Sequence, residues 1–248
     1  MLMRLFILLG LVALIRASCI MRRTADMGEK DVVVVCFFVK DLKVEMAKVP
    51  DDVNVVAMII VESQIPKVEV GVFERFGPTM ERLEIQHSEV EDVEDHAFKG
   101  LTKLKVLNMR LNKLKEVRAG WMNDMVALTD VNMNSNQLSK VDKDVDVSKV
   151  VNVDVGDNQF NCVVMDMLNT MKNVKTLKVV MNPLSWKCMV ELDDWMKSHP
   201  DVVGDFVSKD LSIERLLVNT RDCLKTVTDV NDEEAVGVCV DSKMTMVR

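Results

Sequence analysis

The chain has 248 residues and a formal net charge of −7, and its residues are 48% hydrophobic but only 4% aromatic, with no tyrosine. Basic and acidic residues are interspersed, so the sequence lacks the basic stripe that indicates nucleic-acid binding. After the N-terminal region no stretch approaches the roughly 18 uncharged apolar residues of a membrane-spanning helix. We therefore expect one domain whose partners include no nucleic acid and, once the N-terminal region is removed, no membrane.

The first 18 residues predict a signal peptide. Arg4 precedes an apolar run from Leu5 to Ile15, and the small residues Ala17 and Ser18 offer a cleavage site. An uncleaved membrane anchor is the alternative, but a run of about eleven residues is short for roughly 30 Å of hydrocarbon. We expect residues 1–18 to be removed and the protein to be secreted into an extracellular, oxidising compartment.

Residues 31–40, with the sequence DVVVVCFFVK, predict a strand, because β-branched and aromatic residues dominate them. The segment DLKVEMAKVPDD follows, before the regular part of the chain. A strand in this place would stand at the open end of the structure that follows it. An open end needs a cap to cover its core and its free strand edge.

The regular part of the chain consists of copies of the pattern L-x-x-L-x-L-x-x-N-x-L, and the clearest copy lies within 101–114, LTKLKVLNMRLNKL. Further copies lie before and after it, with Ser63 and Ser88 in the Asn position of the first two. The residues at the fourth position of the pattern are Met58, Leu83, Leu107, Val131, Val153 and Leu177, which are 25, 24, 24, 22 and 24 residues apart. This regular spacing predicts a repeat protein with about six repeats.

The pattern has a direct structural interpretation. The x-L-x-L-x part alternates with period two and predicts a short strand with one face inward. The Asn position turns the chain, and a buried Asn amide can satisfy backbone groups of neighbouring coils. The returning segments carry the apolar residues Phe73, Phe98 and Trp121. Since one repeat cannot bury its own apolar side, the repeats must stack into a continuous core.

Residues 95–101, DHAFKGL, match the A-F-x-G-L run of many extracellular leucine-rich repeat proteins, and the resemblance to that family covers about residues 32–200. The chain is similar to secreted arthropod leucine-rich repeat immune proteins and to Toll-like receptor ectodomains. The resemblance implies an α/β horseshoe solenoid, with a parallel β-sheet on its concave face and a cap at each end.

The ends of the chain resemble the caps of this family. Residues 19–54 resemble the N-terminal cap, 55–184 form the repeats, 185–240 resemble the C-terminal cap, and 241–248 are expected to be a loose tail. In the C-terminal cap, Asn182, Pro183, Cys188, Leu192 and Trp195 fit the family pattern. Trp186 replaces the first cysteine of that pattern, which puts the usual pair of disulfides of this cap in doubt.

Six cysteines in an oxidising compartment predict disulfides, and their positions favour the pairs Cys19–Cys36, Cys162–Cys188 and Cys223–Cys239. The family's cap implies an alternative, in which Cys188 pairs with Cys239 and Cys162 with Cys223. Cleavage after Cys19 would leave Cys36 without a partner in the chain. The spacing of the cysteines and histidines does not suit zinc, so we expect no metal site.

No combination of residues predicts catalysis. Of the three histidines, His96 is expected to be structural and His199 to lie on the surface of the cap. His87 is expected on the strand face turned away from the core, without a nucleophile nearby. Phosphate loops, Gly-rich fingerprints and the G-x-S-x-G motif are absent from the sequence. We therefore expect a protein that is not an enzyme and uses no cofactor.

The variable strand positions are the remaining candidates for function, because solenoids present extended concave surfaces to their partners. We expect the concave face to bind a protein ligand, with an exposed Arg beside apolar contacts at its centre. Its candidate residues are Glu84, Gln86, His87, Asn108, Arg110, Leu111, Asn132, Asn134, Asp154 and Lys178. A self-associating structural or matrix-adhesion component is the alternative, and the apolar ends of the face could instead only meet the caps. The sequence leaves the oligomeric state open.

Overall fold

The computed structural model describes residues 18–23, 27–162, 167–205 and 211–245. The predicted signal peptide lies outside these residues except for Ser18, which begins the first strand. In the described part of the chain, no helix is both long enough and apolar enough to cross a membrane.

The described strands form one large sheet and two small ones. In chain order they are β1 (Ser18–Arg22), β2 (Asp31–Phe37), β3 (Asn54–Val61), β4 (Lys67–Val68), β5 (Arg82–Gln86), β6 (Asp92–Val93), β7 (Val106–Asn108), β8 (Glu116–Val117), β9 (Asp130–Asn132), β10 (Lys140–Val141), β11 (Asn152–Asp154), β12 (Thr176–Lys178) and β13 (Val203–Asp205). The large sheet has the order β1-β2-β3-β5-β7-β9-β11-β12-β13. Strand β1 is antiparallel to β2, and every later pair is parallel.

The helices lie outside the sheet. They are α1 (Leu42–Met46), α2 (Ala119–Met122), α3 (Trp186–Ser198), α4 (Leu211–Leu224) and α5 (Glu233–Thr245), with a 3-10 turn at Glu74–Phe76. Helix α1 begins where the Asp41 carboxylate accepts a hydrogen bond from the Val44 amide, and α3 begins where the Ser185 hydroxyl accepts one from the Cys188 amide. Helix α4 includes the segment 212–219, whose sequence is compatible with a helix.

The large sheet follows the sequence repeat. The strands between β1 and β13 bury alternate side chains, as in β5, where Leu83 and Ile85 are fully buried while Arg82 is exposed. The six residues at the fourth pattern position are neighbours in the parallel ladder. The ladder continues beyond them, because Val34 of β2 pairs with Met58 and Gly204 of β13 pairs with Leu177. Each end of the regular repeats is therefore covered by a coil in the same register.

The returning segments lie on the other side of the core. The rings of Phe73 and Phe98 stack with centroids 6.3 Å apart, and Phe98 meets Trp121 edge-on at 5.8 Å. All three residues are at most 1% exposed. They form a column of aromatic rings that runs across three coils, as the apolar markers in the sequence predict.

Glycine is required where two of these coils approach closely. A Cβ on Gly77 would overlap the carbonyl oxygen of Gly100. Gly100 itself has a φ of +86°, which favours glycine over other residues. The Gly of the A-F-x-G-L run is thus needed for the turn, and Gly77 is needed for the spacing of the coils.

A column of buried or partly buried side-chain amides joins the coils at the ends of β7, β9, β11 and β12. Asn158 Nδ2 donates to the carbonyl oxygens of Met133 at 3.0 Å, Val155 at 3.1 Å and Gly156 at 3.0 Å. Its Oδ1 accepts from the Leu138 amide at 2.9 Å. Equivalent bonds to the same coil and the preceding coil are made by Asn112, Asn136 and Asn182. We call these four residues the asparagine ladder.

Ser63 and Ser88 occupy the Asn position of the first two repeats and make fewer bonds. The Ser63 hydroxyl accepts from the Val39 amide and donates to the Val61 carbonyl, both at 3.0 Å. The Ser88 hydroxyl donates to the Gln86 carbonyl at 2.7 Å, and the Ser88 amide donates to Asn112 of the next coil. A hydroxyl has one proton where an amide has two, so the serines join fewer carbonyl groups.

Disulfides link segments of the chain at both ends of the solenoid. The disulfides are Cys19–Cys36, Cys162–Cys188 and Cys223–Cys239. This is the pairing favoured by position in the sequence, rather than the alternative taken from the family's cap. Trp186, which replaces the cap's first cysteine, packs against a second small core of Cys223, Val236 and Val240.

The sequence-based interpretation places the start of the loose tail, residue 241, too early in the chain. Residues 241–245 continue helix α5, so the helical part of the cap ends at Thr245 rather than at residue 240. Val240 is fully buried, and Met244 packs against the second core one turn later. The polar composition of the segment hides these two contacts, which hold the helix in place.

An ion-pair group joins α3 to α4. Asp193, which is 8% exposed, accepts hydrogen bonds from Lys197 Nζ at 2.8 Å and from Arg221, and Arg221 also contacts Asp194. Burial opposes ionisation of Asp193, but the hydrogen bonds from Lys197 and Arg221 outweigh it and hold the pKa of this carboxyl below its ordinary value. The charged form of Asp193 therefore stabilises the folded cap.

We expect Asn158→Ala to lower the free energy of unfolding by about 3 kcal/mol, because it leaves buried backbone groups of two coils without partners. Urea denaturation followed by circular dichroism measures the loss. The control is Asn231→Ala, since Asn231 is exposed and its side chain bonds only to Asp229. The control should change the stability by less than about 0.5 kcal/mol. Equal effects of the two substitutions would contradict a structural role for the ladder.

We expect the C-terminal cap to lose stability in acid. Because the pKa of Asp193 is lowered by folding, its contribution is complete above the ordinary carboxyl pKa of about 3.9 and is lost as the pH falls through the lower, folded-state value. Asp193→Asn should be less stable than the wild type at pH 7 but should lose less on acidification below pH 4. Denaturation series at several pH values measure both. Asp201→Asn, an exposed carboxylate in the following loop, should keep the wild-type acid dependence.

Candidate binding face

The large sheet has a face that points away from the core, which we call the open face. The ladder places residues of successive strands side by side on it, in columns across the sheet. The central column runs through Glu84, Asn108, Asn132, Asp154 and Lys178. These five candidate residues are therefore neighbours, each one strand from the next.

A second column on the same face was missed by the sequence-based interpretation. It lies two positions earlier in each strand and consists of Arg82, Val106, Asp130, Asn152 and Thr176. Together with the central column it lines a shallow groove of about 260 Å³. The period-two alternation could have identified it, because residues two apart in a strand share a face.

Three residues of the central column have a structural bond as well as an exposed surface. The side-chain Oδ1 atoms of Asn108, Asn132 and Asp154 accept hydrogen bonds from the backbone amide two residues later, at 3.0–3.2 Å. These bonds fix the rotamers of the three side chains. The groove is therefore lined by polar groups that are oriented before any ligand arrives.

Glu84 is the centre of a polar cluster on β5 and β7. Its carboxylate accepts hydrogen bonds from Arg82 at 3.0 Å, from Gln86 and from Asn108 at 3.4 Å. Gln86 Oε1 in turn accepts from Arg110 Nε at 2.7 Å. This contact holds one nitrogen of the exposed Arg110 guanidinium, and the two terminal nitrogens have no partner within the described residues.

The acidic groups further along the groove are also paired. Asp130 accepts from Asn152 Nδ2 and from the Thr129 hydroxyl, both at 2.6 Å. Asp154 accepts from Asn134 Nδ2 at 3.3 Å and lies 3.8 Å from Lys178 Nζ. Both carboxylates are therefore hydrogen-bonded within the sheet, and the charge of Asp154 is also partly compensated by Lys178.

Two further groups in the groove are available to a ligand. Asn132 uses its Oδ1 for the Asn134 amide, but its Nδ2 has no partner among the described residues. The Thr176 hydroxyl likewise has none within the ranges that the structure describes. With Arg110, these residues give the face a small set of free donors between side chains that are already bonded.

His87 and Leu111 lie on a turn, not on the strand face where the sequence-based interpretation placed His87. Strand β5 ends at Gln86, and His87 follows with a φ of +48°. The same left-handed conformation recurs at Glu62, Leu111, Ser135, Asp157 and Met181. It lets the next residue turn its side chain inward to the asparagine ladder. His87 and Leu111 are exposed at the rim of the open face.

The other histidines have local partners. His96 Nδ1 lies 3.3 Å from Asp124, and the His199 ring stacks on Trp195 at 4.1 Å. In the described part of the chain, the one group of side chains with metal-ligand spacing is Cys162, Cys188 and Glu191, and its two cysteines are joined in a disulfide.

Comparison with known proteins agrees with this architecture. Residues 78–138 match the family model for the leucine rich repeat. The fold is a leucine-rich repeat solenoid. The open face is thus the concave face of the solenoid, and the aromatic column lies on its convex side. No curated protein sequence matches the chain significantly.

Two solved structures illustrate the likeness. TLR13, in its complex with the single-stranded RNA ssRNA13, aligns with a TM-score of 0.56 and 16% identity over 61% of this chain and 22% of that chain. A leucine-rich repeat protein of Leptospira interrogans aligns with a TM-score of 0.51 and 19% identity over 63% of this chain and 38% of that chain. The chain thus matches well under half the length of either protein, and at these identities the likeness concerns the fold alone.

We expect Leu111→Asn to raise the free energy of unfolding by up to about 1 kcal/mol, because Asn tolerates the left-handed conformation better than Leu. Leu111→Val should lower it by about 1 kcal/mol, since a β-branched residue is strained there. The Leu111 side chain is 46% exposed, so little packing is lost in either variant. Val126→Asn, at an exposed site without a positive φ, is the control and should bring no gain. Thermal and urea denaturation measure all three.

Proposed function

We propose that this protein is a secreted protein-binding module, which recognises a protein partner through its concave face. The observation that supports this most is the row of polar side chains across five strands, of which Asn108, Asn132 and Asp154 are fixed by hydrogen bonds to the backbone. Free donors on Arg110, Asn132 and Thr176 lie among them. Orienting these groups before binding reduces the entropy lost on association. An Arg held at one nitrogen and free at the others is a typical interface anchor.

The ionic character of the face favours a protein over a nucleic acid. The chain is acidic overall, the groove contains Asp130 and Asp154, and Glu84 lies beside Asn108 at its border. A phosphate backbone would need a continuous basic stripe. The RNA in the TLR13 complex is a ligand of that protein, and the groove described here favours a different class of ligand.

Secretion is supported by the three disulfides, which form and persist in oxidising compartments. We propose a module in which an N-terminal cap of residues 19–54 and a C-terminal cap beginning at residue 185 close the repeats of 55–184. A role in innate immunity, as in the arthropod proteins and receptor ectodomains that the sequence resembles, is part of this proposal.

We expect Arg110→Ala and Asn132→Asp each to weaken partner capture by about tenfold or more. Asn132→Asp keeps the oxygen that accepts from the Asn134 amide, so it removes the free donor while retaining the turn. The protein is immobilised and exposed to the fluid of its source, and captured proteins are identified and quantified by mass spectrometry.

Lys99→Ala is the matched control, because Lys99 is exposed in the convex A-F-x-G-L run. It should capture the partner as the wild type does. Equal capture by the wild type, Arg110→Ala and Asn132→Asp would rule out the centre of the concave face as the binding site.

A further inference from the structure

The concave face changes character at its N-terminal end. On β2 and β3 most side chains that point away from the core are apolar, as is Ile20 of β1, whereas on β5 to β12 they are mainly polar. We call the apolar part the N-terminal patch; its members are Ile20, Val33, Val35, Phe37, Ala57, Ile59 and Val61. They alternate along the strands with core residues such as Val34 and Met58.

These seven side chains are partly or well exposed. Ile20 is 39% exposed, and the other six have intermediate exposure. Within the described part of the chain, they belong neither to the buried core nor to the partly buried apolar side chains packed against it. A contiguous exposed apolar surface on a sheet marks an interaction site, because its solvation costs free energy that a partner removes.

Arginines stand on both sides of the N-terminal patch. One ladder row runs Arg22, Val33, Ala57 and Arg82, so its two apolar residues lie between two guanidinium groups. On the polar side, Arg110 lies two strands beyond Val61, at roughly 10 Å. Glu84 and Gln86 stand between them, and the charge of Glu84 is compensated by Arg82.

The exposed carboxylate nearest the patch in sequence is Glu62, at the turn after β3. It lies at the end of the strand, not in the rows that cross the sheet. Ile59 is bordered by Glu84 in the next row, but the row of Val33 and Ala57 has a guanidinium group on each side. A ligand that complements it must combine apolar side chains with negative charge at its two flanks.

We propose that the N-terminal patch binds an extended partner segment with an apolar centre and an acidic residue on each flank. Arg22 and Arg82 are three strand spacings apart, or about 14 Å. An extended chain rises about 3.3 Å per residue, so its residues i and i+4 span about 13 Å. The segment therefore crosses the strands with an acidic residue at i and at i+4 and apolar residues between them. The side chain at i+2 points to the patch with the two acidic ones, because alternate side chains of an extended chain share a face. This inference rests on the proposed concave-face function and names the chemistry of the partner.

The test uses three labelled peptides and fluorescence anisotropy with the purified protein. The first peptide has the core Asp-Leu-Val-Phe-Asp, the second Lys-Leu-Val-Phe-Lys and the third Asp-Ser-Thr-Ser-Asp. We expect the first peptide to bind at least about tenfold more tightly than either of the others, because only it matches both the apolar patch and its flanking charges. Equal binding of the first and second peptides would overturn the charge assignment.

Variants locate the site of binding. The double substitution Val35→Thr and Ile59→Thr keeps the β-branched shape but adds hydroxyl groups. It should weaken the binding of the first peptide by about tenfold. Arg82→Glu should shift the preference from the first peptide toward the second. Val180→Thr, at the other end of the same face, is the control and should leave binding unchanged. Circular dichroism checks that each variant is folded.

Failure of this inference is distinguishable from failure of the proposed function. The inference is wrong if the protein binds the first peptide no more tightly than the others, or if the Val35 and Ile59 substitutions do not change its affinity for that peptide. This holds even where Arg110→Ala and Asn132→Asp still abolish partner capture. If those two variants capture the partner normally, the proposed function is wrong at the centre of the face. Selective peptide binding that is lost in the double variant supports the inference in either case.

Discussion

The side-chain amide after each of the strands β7, β9, β11 and β12 is the interaction on which the rest of the structure depends. Asn136 and Asn158 each join the carbonyl groups of their own coil to those of the coil before. Without these bonds, the backbone groups at each turn would be buried and unpaired, which costs about 1–3 kcal/mol for each group. Stacking of the coils therefore depends as much on the satisfaction of these turns as on the apolar core.

This constraint also shapes the concave face. To turn the Asn side chain inward, the residue before it adopts a left-handed conformation, even where it is Leu111 or Met181. The strands accordingly end at equivalent places, and the side chains before each turn form straight columns across the sheet. Hydrogen bonds from Asn108 and Asn132 to the backbone then fix part of each column. The face is rigid because its polar groups are bonded to the turns that hold the fold.

The concave face is therefore divided into two parts with different chemistry. The part around Glu84 and Arg110 is polar, and most of its groups are bonded to one another. Its few free donors can make directional hydrogen bonds. The part around Val35 and Ile59 is apolar and provides surface to bury. Interfaces usually combine an apolar centre with a polar border. Here the two lie side by side along the solenoid.

The sequence by itself determined the coil: the period of 22–25 residues, the inward skeleton around Leu107, and the Asn turn follow from local alternation and from backbone groups that must be satisfied. It also predicted that Asn108, Asn132 and Asp154 share a face, since residues at one pattern position stack. Only the tertiary structure decided what those side chains bind, because the contacts of Arg110 with Gln86 and of Asn152 with Asp130 cross between coils. It also decided the register of β2, which lacks an Asn in the turn, and so joined Val33 and Val35 to Ala57 and Ile59 as one surface. Packing decides which contacts form between side chains about 24 residues apart, and no local pattern contains that information.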